Sequence, residues 1–204
     1  MLISKEEFDK IFPAEYKRLL LECVNGGLGD YNNLNYYSAE ARRDHTPSAR
    51  AILRHCHIVA RMNRTLMERH DIRVLNRRGR ILFIFNDKLQ CSIKKFDSRL
   101  RTSSNPTKQA DDFKAQLPLD LDEPAELANF FTGYKYDRAE AYYDVYITYP
   151  HDEQNYWEWK ISGAEIKEFM LNPSANIDDI GTVSMKKRRV HIRQDAQKEA
   201  KDAG

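Results

Sequence analysis

The chain has 204 residues, 41% of them hydrophobic and 31% charged, which suffices for one ordinary domain whose core needs no disulfide or metal staple. A mean hydropathy of −0.73 and the lack of any long apolar run exclude a transmembrane helix. The 33 basic and 31 acidic residues leave a formal charge of +2, and so small a net charge implies no partner by itself.

The first ten residues carry Glu6, Glu7 and Asp9 and do not read as a secretory leader. Ser4 and Glu7 have capping-box spacing and open a short helix. Pro13 suits the start of a second helix, with Tyr16, Leu19, Leu20 and Cys23 at helical spacing and Gly26-Gly27 as its expected end. Asn32, Asn33 and Asn35 among tyrosines read as a loop. Thr46-Pro47 begins the longest helix. Ile52, Cys56, Val59, Met62 and Leu66 form its apolar stripe, and Arg50, Arg54, His57, Arg61 and Arg64 form a row on the opposite face.

From Ile72 the period becomes two. Strands are expected over 72–76, 80–85 and 89–96, joined by turns at Arg78-Gly79 and Asn86-Asp87. The run Ile81 to Phe85 is apolar on both faces, as in a central strand covered by a helix. The irregular middle, 98–124, holds a short helix capped near Asn105-Pro106 and then an extended stretch bounded by Pro118 and Pro124. Three more strands follow over 127–136, 142–149 and 156–161. Ser162 with Glu165 starts a C-terminal helix (Ile166, Phe169 and Met170 inward) ending at Asn172-Pro173, and 186–193 reads as a basic strand.

This order predicts an α+β fold: a mostly antiparallel sheet of about six strands, N-terminal helices, one long helix on the sheet and a C-terminal helix. The expected division is an N-terminal helical extension (1–36), one α+β domain (37–193) and a frayed tail (194–204). Whether the two groups of strands form one sheet or two stays open.

Three scattered cysteines offer neither disulfide pairs nor a Cys-x-x-Cys spacing. Cys56 and Cys91 read as small core residues, and the expected compartment is the reducing cytoplasm. Nor does any motif specify catalysis. A restriction-type nuclease needs an acid two residues before a strand lysine. Asp87 and Lys94 suggest that layout, but Ser92 and Ile93 occupy the positions before Lys94 and Lys95. His55 and His57 flank Cys56 and diverge on a helix. Gly26-Gly27-Leu28-Gly29 lacks the lysine of a phosphate loop. No catalytic residue, metal site or cofactor is assigned.

The charge is segregated. Residues 71–101 hold nine basic against three acidic residues, and 111–126 hold six acidic against one basic. Arg50, Arg54, Arg61 and Arg64 of the long helix, with Arg77, Arg78, Arg80, Lys94 and Lys95 of the strands and Lys186, Lys187, Arg188 and Arg189 near the end, are candidates for one positive surface that seats phosphates. The alternative is a solvated face balanced by the acidic segment.

Gln116-Leu117-Pro118-Leu119-Asp120-Leu121 resembles the six-residue motif by which bacterial polymerases and accessory proteins grip the replication sliding clamp. Glutamine stands first, and Leu117, Leu119 and Leu121 occupy the second, fourth and sixth places. Alternate apolar side chains of such a peptide enter a groove. The alternative is a crossover that tucks these leucines onto the sheet. A broader likeness combines the long helix, Ile-Lys-Lys-Phe-Asp at 93–97, Ser104-Asn105-Pro106-Thr107 with Gln109, Gln116 to Leu119, Thr132-Gly133-Tyr134 and a tryptophan strand. It resembles an uncharacterised bacterial family encoded beside repressor-cleaving metallopeptidase-like proteins of mobile elements.

That resemblance implies a phage-defence or toxin–antitoxin setting and carries no catalytic residue. The expectation is a non-enzymatic interaction protein acting on replication or nucleic-acid machinery. Its partner would be a protein (the sliding clamp or a cognate antitoxin), with nucleic acid on the basic surface and no membrane. The alternatives are a degenerate metal-dependent nuclease around Asp87, Lys94 and Lys95, and a simple basic nucleic-acid binder.

Overall fold

The two groups of strands join in one sheet. A computed structural model describes residues 2–161 apart from 34, 78, 103–106, 120–126 and 138–141. In it β1 (Ile72–Arg77), β2 (Arg80–Phe85), β3 (Leu89–Lys95), β4 (Ala128–Asp137), β5 (Tyr142–His151) and β6 (Gln154–Ile161) lie side by side in chain order. All neighbours are antiparallel except β3 and β4, which are parallel. The fold is α+β. The expected C-terminal helix, the basic strand over 186–193 and the tail from 194 lie outside the described residues.

The turns form where the sequence expects them. Asn86 and Asp87 both take positive φ (51° and 53°), as a type I′ turn requires, and the Lys88 amide donates to the Phe85 carbonyl at 3.0 Å. Gly79, with φ of 81°, supplies the other reversal.

Helices α1 (Lys5–Ile11), α2 (Ala14–Asn32) and α4 (Pro47–Leu66) cover one face of the sheet, and α3 (Ala39–Asp44) bridges α2 and α4 in sequence. The Ser4 capping box and the Thr46 N-cap are formed. Phe8, Phe12, Tyr16, Leu20 and Val24 are buried in the same core as Phe83, Phe85, Phe130 and Tyr149. The first 36 residues are therefore no appendage, because α1 and α2 supply a layer of the core.

Two other expectations are corrected here. Gly26 and Gly27 do not end α2, which continues to Asn32. They let α4 approach: a Cβ on Gly27 would meet the Ile58 Cα at 2.5 Å. This closeness is worth the roughly 1 kcal/mol that a mid-helix glycine costs. The buried residues of α4 are Ile58, Val59, Met62 and Leu66, while Ile52 is 62% exposed. Cys56 is likewise exposed, whereas Cys91 is in the core. Packing against α2 rotates the helix so that Ile58 faces inward in place of Cys56.

A charged network ties α2 to the start of β1. The Tyr16 hydroxyl donates to Asp71 Oδ2 at 2.5 Å, and Arg69 donates to both Asp71 oxygens at 2.9 and 2.7 Å. Arg69 first, then Tyr16, hold the Asp71 carboxyl down at about 2. A carboxyl depressed from 3.8 stabilises the fold above its unfolded pKa, and that contribution disappears as pH falls from 3.8 towards 2. Since the side chain is 32% exposed, about 1–2 kcal/mol is expected after solvent screening.

The opposite face is covered by the β3–β4 crossover. Thr107, one residue beyond the expected Asn105-Pro106 cap, caps α5 (Lys108–Lys114), and Phe113 packs on Phe131 with ring centroids 4.8 Å apart. Leu82, Phe96 and Leu100 complete this second core. Gln116 follows α5 with φ of 58°, a left-handed conformation more usual for glycine. Its side-chain amide donates to the carbonyls of Asn129 and Pro150, each at 2.8 Å, and its Oε1 accepts the Asn129 amide at 2.7 Å. Pro150 sits at an irregularity of the β5–β6 register and cannot donate to a ladder. The Gln116 amide therefore takes the place of a strand partner for Asn129.

Two outcomes are expected from urea unfolding. Gln116→Ala costs about 2–3 kcal/mol, since it orphans polar groups at β4 and β5. Asp71→Asn costs about 1–2 kcal/mol at pH 7, and the difference from the unaltered protein narrows as pH falls below 4.

Candidate functional site

The expected positive surface does not assemble. Arg50, Arg54, Arg61 and Arg64 lie on α4, on the helical side of the sheet. Arg80 and Lys94 project to the other side, with Leu82 and Ser92 of the same strands. The sheet separates them, so no single ligand face includes both. Arg77 pairs with Arg80 in register at the β1–β2 turn, and Lys95 is exposed at the end of β3. Arg78, Lys186, Lys187, Arg188 and Arg189 lie outside the described residues.

Several of these cations are already used by the fold. Arg61 donates Nε and Nη2 to Asp30 at 3.0 and 2.7 Å, and Arg64 lies 3.7 Å from the same carboxylate. The bond from Arg61 holds the Asp30 carboxyl below its usual range. Outside α4, Arg73 pairs with Asp87 at 2.6 Å. Asp87 is thus engaged at one end of β3 while Lys94 sits near the other, on the order of 20 Å away along an extended strand. The nuclease arrangement around Asp87, Lys94 and Lys95 is not formed.

The sliding-clamp-like segment is also largely committed. Gln116 is bound to the backbones of β4 and β5, and Leu119 packs on the second core. Leu117 is 50% exposed, and Leu121 lies outside the described residues. A hook must offer its glutamine and alternate leucines together, and here the glutamine is a strut of the sheet.

What the fold does assemble is a strip of rings around Arg54. The tyrosines read as loop residues from sequence converge on α4 and on the ends of β4 and β5. Tyr36 lies 5.6 Å from His57, His57 lies 5.8 Å from Tyr37, and Tyr37 lies 5.7 Å from Tyr31, all between ring centroids. The Arg54 guanidinium stacks over Tyr31 at 4.9 Å and over Tyr143 at 5.4 Å. Tyr143 then meets Tyr136, its cross-strand partner, at 5.1 Å. The strip ends on two exposed rings, Tyr36 at 62% and Tyr136 at 44%. Hydrogen bonds between Tyr31 and His45 (3.2 Å) and between Tyr37 and His57 (3.4 Å) hold its middle.

The polar centre of the strip is unfilled. Arg54 makes no salt bridge among the described residues, and its Nε is buried without a hydrogen-bond partner. Beneath it lies the hydroxyl of Tyr134, 1% exposed, with Arg54 as its neighbouring cation. Burial pushes the Tyr134 phenol up to about 12, with Arg54 acting against the rise, and burial likewise raises Tyr143. Both phenols stay protonated near neutrality and are hydrogen-bond donors. A guanidinium without a carboxylate partner among the described residues is a seat for an anion, flanked by flat rings.

Sequence reasoning placed Arg50 and Arg54 among the candidates and missed the tyrosines. Their one signal was the density of tyrosine at 31–37 and at 134–149.

No family model, curated protein or solved structure matches the chain. The resemblances seen in the sequence gain no support, and function rests on the geometry.

The two kinds of arginine predict different costs. In urea unfolding, Arg61→Ala should lose about 1–2 kcal/mol, because it leaves the half-buried Asp30 without its main partner. Arg54→Gln should lose less than about 1 kcal/mol, the worth of a partly exposed cation–π contact.

Proposed function

We propose that the protein binds single-stranded nucleic acid along the Tyr36–Arg54–Tyr136 strip. Bases stack on the exposed rings of Tyr36 and Tyr136, and a backbone phosphate is held by Arg54. The observation that carries this reading is the Arg54 guanidinium, which has no carboxylate partner among the described residues, midway between two exposed aromatic platforms. Single-strand binders combine these parts: aromatic faces accept any base, and a cationic groove follows the backbone. Duplex recognition fits poorly, because paired bases do not offer their faces. Arg50, on the same helix as Arg54, adds positive charge at the strip. Such binding tolerates sequence and weakens with salt. An acting role on replication or nucleic-acid machinery, expected from the sequence, is consistent with it.

Fluorescence anisotropy with labelled single-stranded DNA and RNA tests this. The unaltered chain should bind oligonucleotides of about ten nucleotides and bind a duplex more weakly, with affinity falling as salt rises. Tyr36→Ala with Tyr136→Ala should weaken binding about 10- to 100-fold, from stacking worth about 1–3 kcal/mol per base. Arg54→Gln should weaken it about tenfold or more and flatten the salt dependence. Equal affinity in the double-tyrosine variant, or no binding by the folded unaltered protein, would refute the proposal.

A further inference from the structure

The sheet has a second set of unmatched cations on its other face. Arg80 lies over the Phe113 ring at 4.2 Å, and its Nη1 reaches the Gln109 carbonyl at 3.4 Å. Its Nε is buried with no partner. The β2–β3 pairing runs from Phe85 with Leu89 to Phe83 with Cys91, and beyond it Arg80 lies close enough to Lys94 to repel it electrostatically. On the other flank of Lys94 the parallel register sets Gly133, which has no side chain, and beyond it Tyr146. Lys114, on the last turn of α5, lies close enough to repel Lys94 electrostatically.

Among the described residues no carboxylate pairs with Arg80 or Lys94. Asp144 of β5 is engaged with Lys160 at 2.8 Å. Burial drives the Arg80 guanidinium down to about 10. Burial, then Arg80, then Lys114, lower the Lys94 amine. Two half-buried like charges side by side are unfavourable unless something neutralises them. An arginine fork with lysines around it suits a tetrahedral, multiply charged oxyanion.

The geometry points to a phosphoryl-binding site at Arg80 and Lys94, with Lys114 at its rim, on the face of the sheet opposite the aromatic strip. Its ligand is a free inorganic phosphate or pyrophosphate, or the terminal phosphate of a small phosphomonoester. The site shares no residue with the proposed nucleic-acid strip, so either stands or falls alone.

Calorimetric titration of the full chain in phosphate-free buffer, paired with thermal unfolding, decides it. Sodium pyrophosphate should bind at one site and raise the unfolding temperature above that in sodium chloride of matched ionic strength. Adenosine 5′-monophosphate beside adenosine separates the sources: binding of the monophosphate alone identifies phosphomonoesters, and binding of neither leaves the inorganic anion. Lys94→Gln should weaken pyrophosphate about tenfold or more, in line with the loss of a charged hydrogen bond. Since it also removes a like-charge repulsion, the same variant without ligand should melt no lower than the unaltered chain. Arg80→Gln strips a cation from Phe113 and risks the fold, so Lys94→Gln, with its circular dichroism spectrum, carries the comparison. Arg54→Gln should leave pyrophosphate binding unchanged. The inference is overturned if pyrophosphate acts no differently from chloride, or if Lys94→Gln binds it within about twofold of the unaltered chain.

Discussion

Parallel pairing of β3 with β4 is the constraint on which the other features depend. Antiparallel neighbours need only a tight turn, but parallel neighbours oblige the chain to travel back along a face of the sheet. The segment between Lys95 and Ala128 makes that journey and lays α5 on the face that α1, α2 and α4 leave uncovered. At the joint itself the strands come so close that any Cβ on Gly133 would strike the Lys94 carbonyl oxygen. The return is locked by Gln116, whose amide fills the gap in the ladder at Pro150. One connection thus produces both a thick helical side and a thin, cation-bearing side.

The two sides treat arginine differently from its average. Arg61, Arg69 and Arg73 have carboxylates and serve as fasteners. Arg54 and Arg80 have aromatic rings instead, and each keeps a buried, unpartnered Nε. A ring face satisfies part of a guanidinium's charge but accepts none of its in-plane hydrogens. Capacity for a ligand therefore follows from which arginines lack a carboxylate, and the overall count of basic residues is a poor guide to it.

Local signals made much of this architecture readable in advance. The capping box at Ser4, the Thr46-Pro47 start, the Asn86-Asp87 turn and the period-two runs from Ile72 to Ile161 all depend on neighbours in sequence, and all form. The misreadings arose where a distant partner decides. Gly26-Gly27 resembles a helix end until α4 is known to cross there. The stripe through Ile52 and Cys56 is apolar, yet α2 turns Ile58 inward instead. Gln116 matched a peptide motif because no local rule reveals that Asn129 and Pro150 lie beyond the β4–β5 pairing. The aromatic strip was hidden for the same reason: its rings come from three separate regions of the chain, and only tertiary contact lines them up.

The rotation of α4 also has a practical chemical result. It leaves Cys56 at the surface while Cys23 and Cys91 are enclosed, and burial raises the thiol pKa of both enclosed residues, which further suppresses their reactivity. The protein therefore carries a natural attachment point for a thiol-directed dye, next in sequence to His57 and its surrounding rings, with no engineered cysteine required.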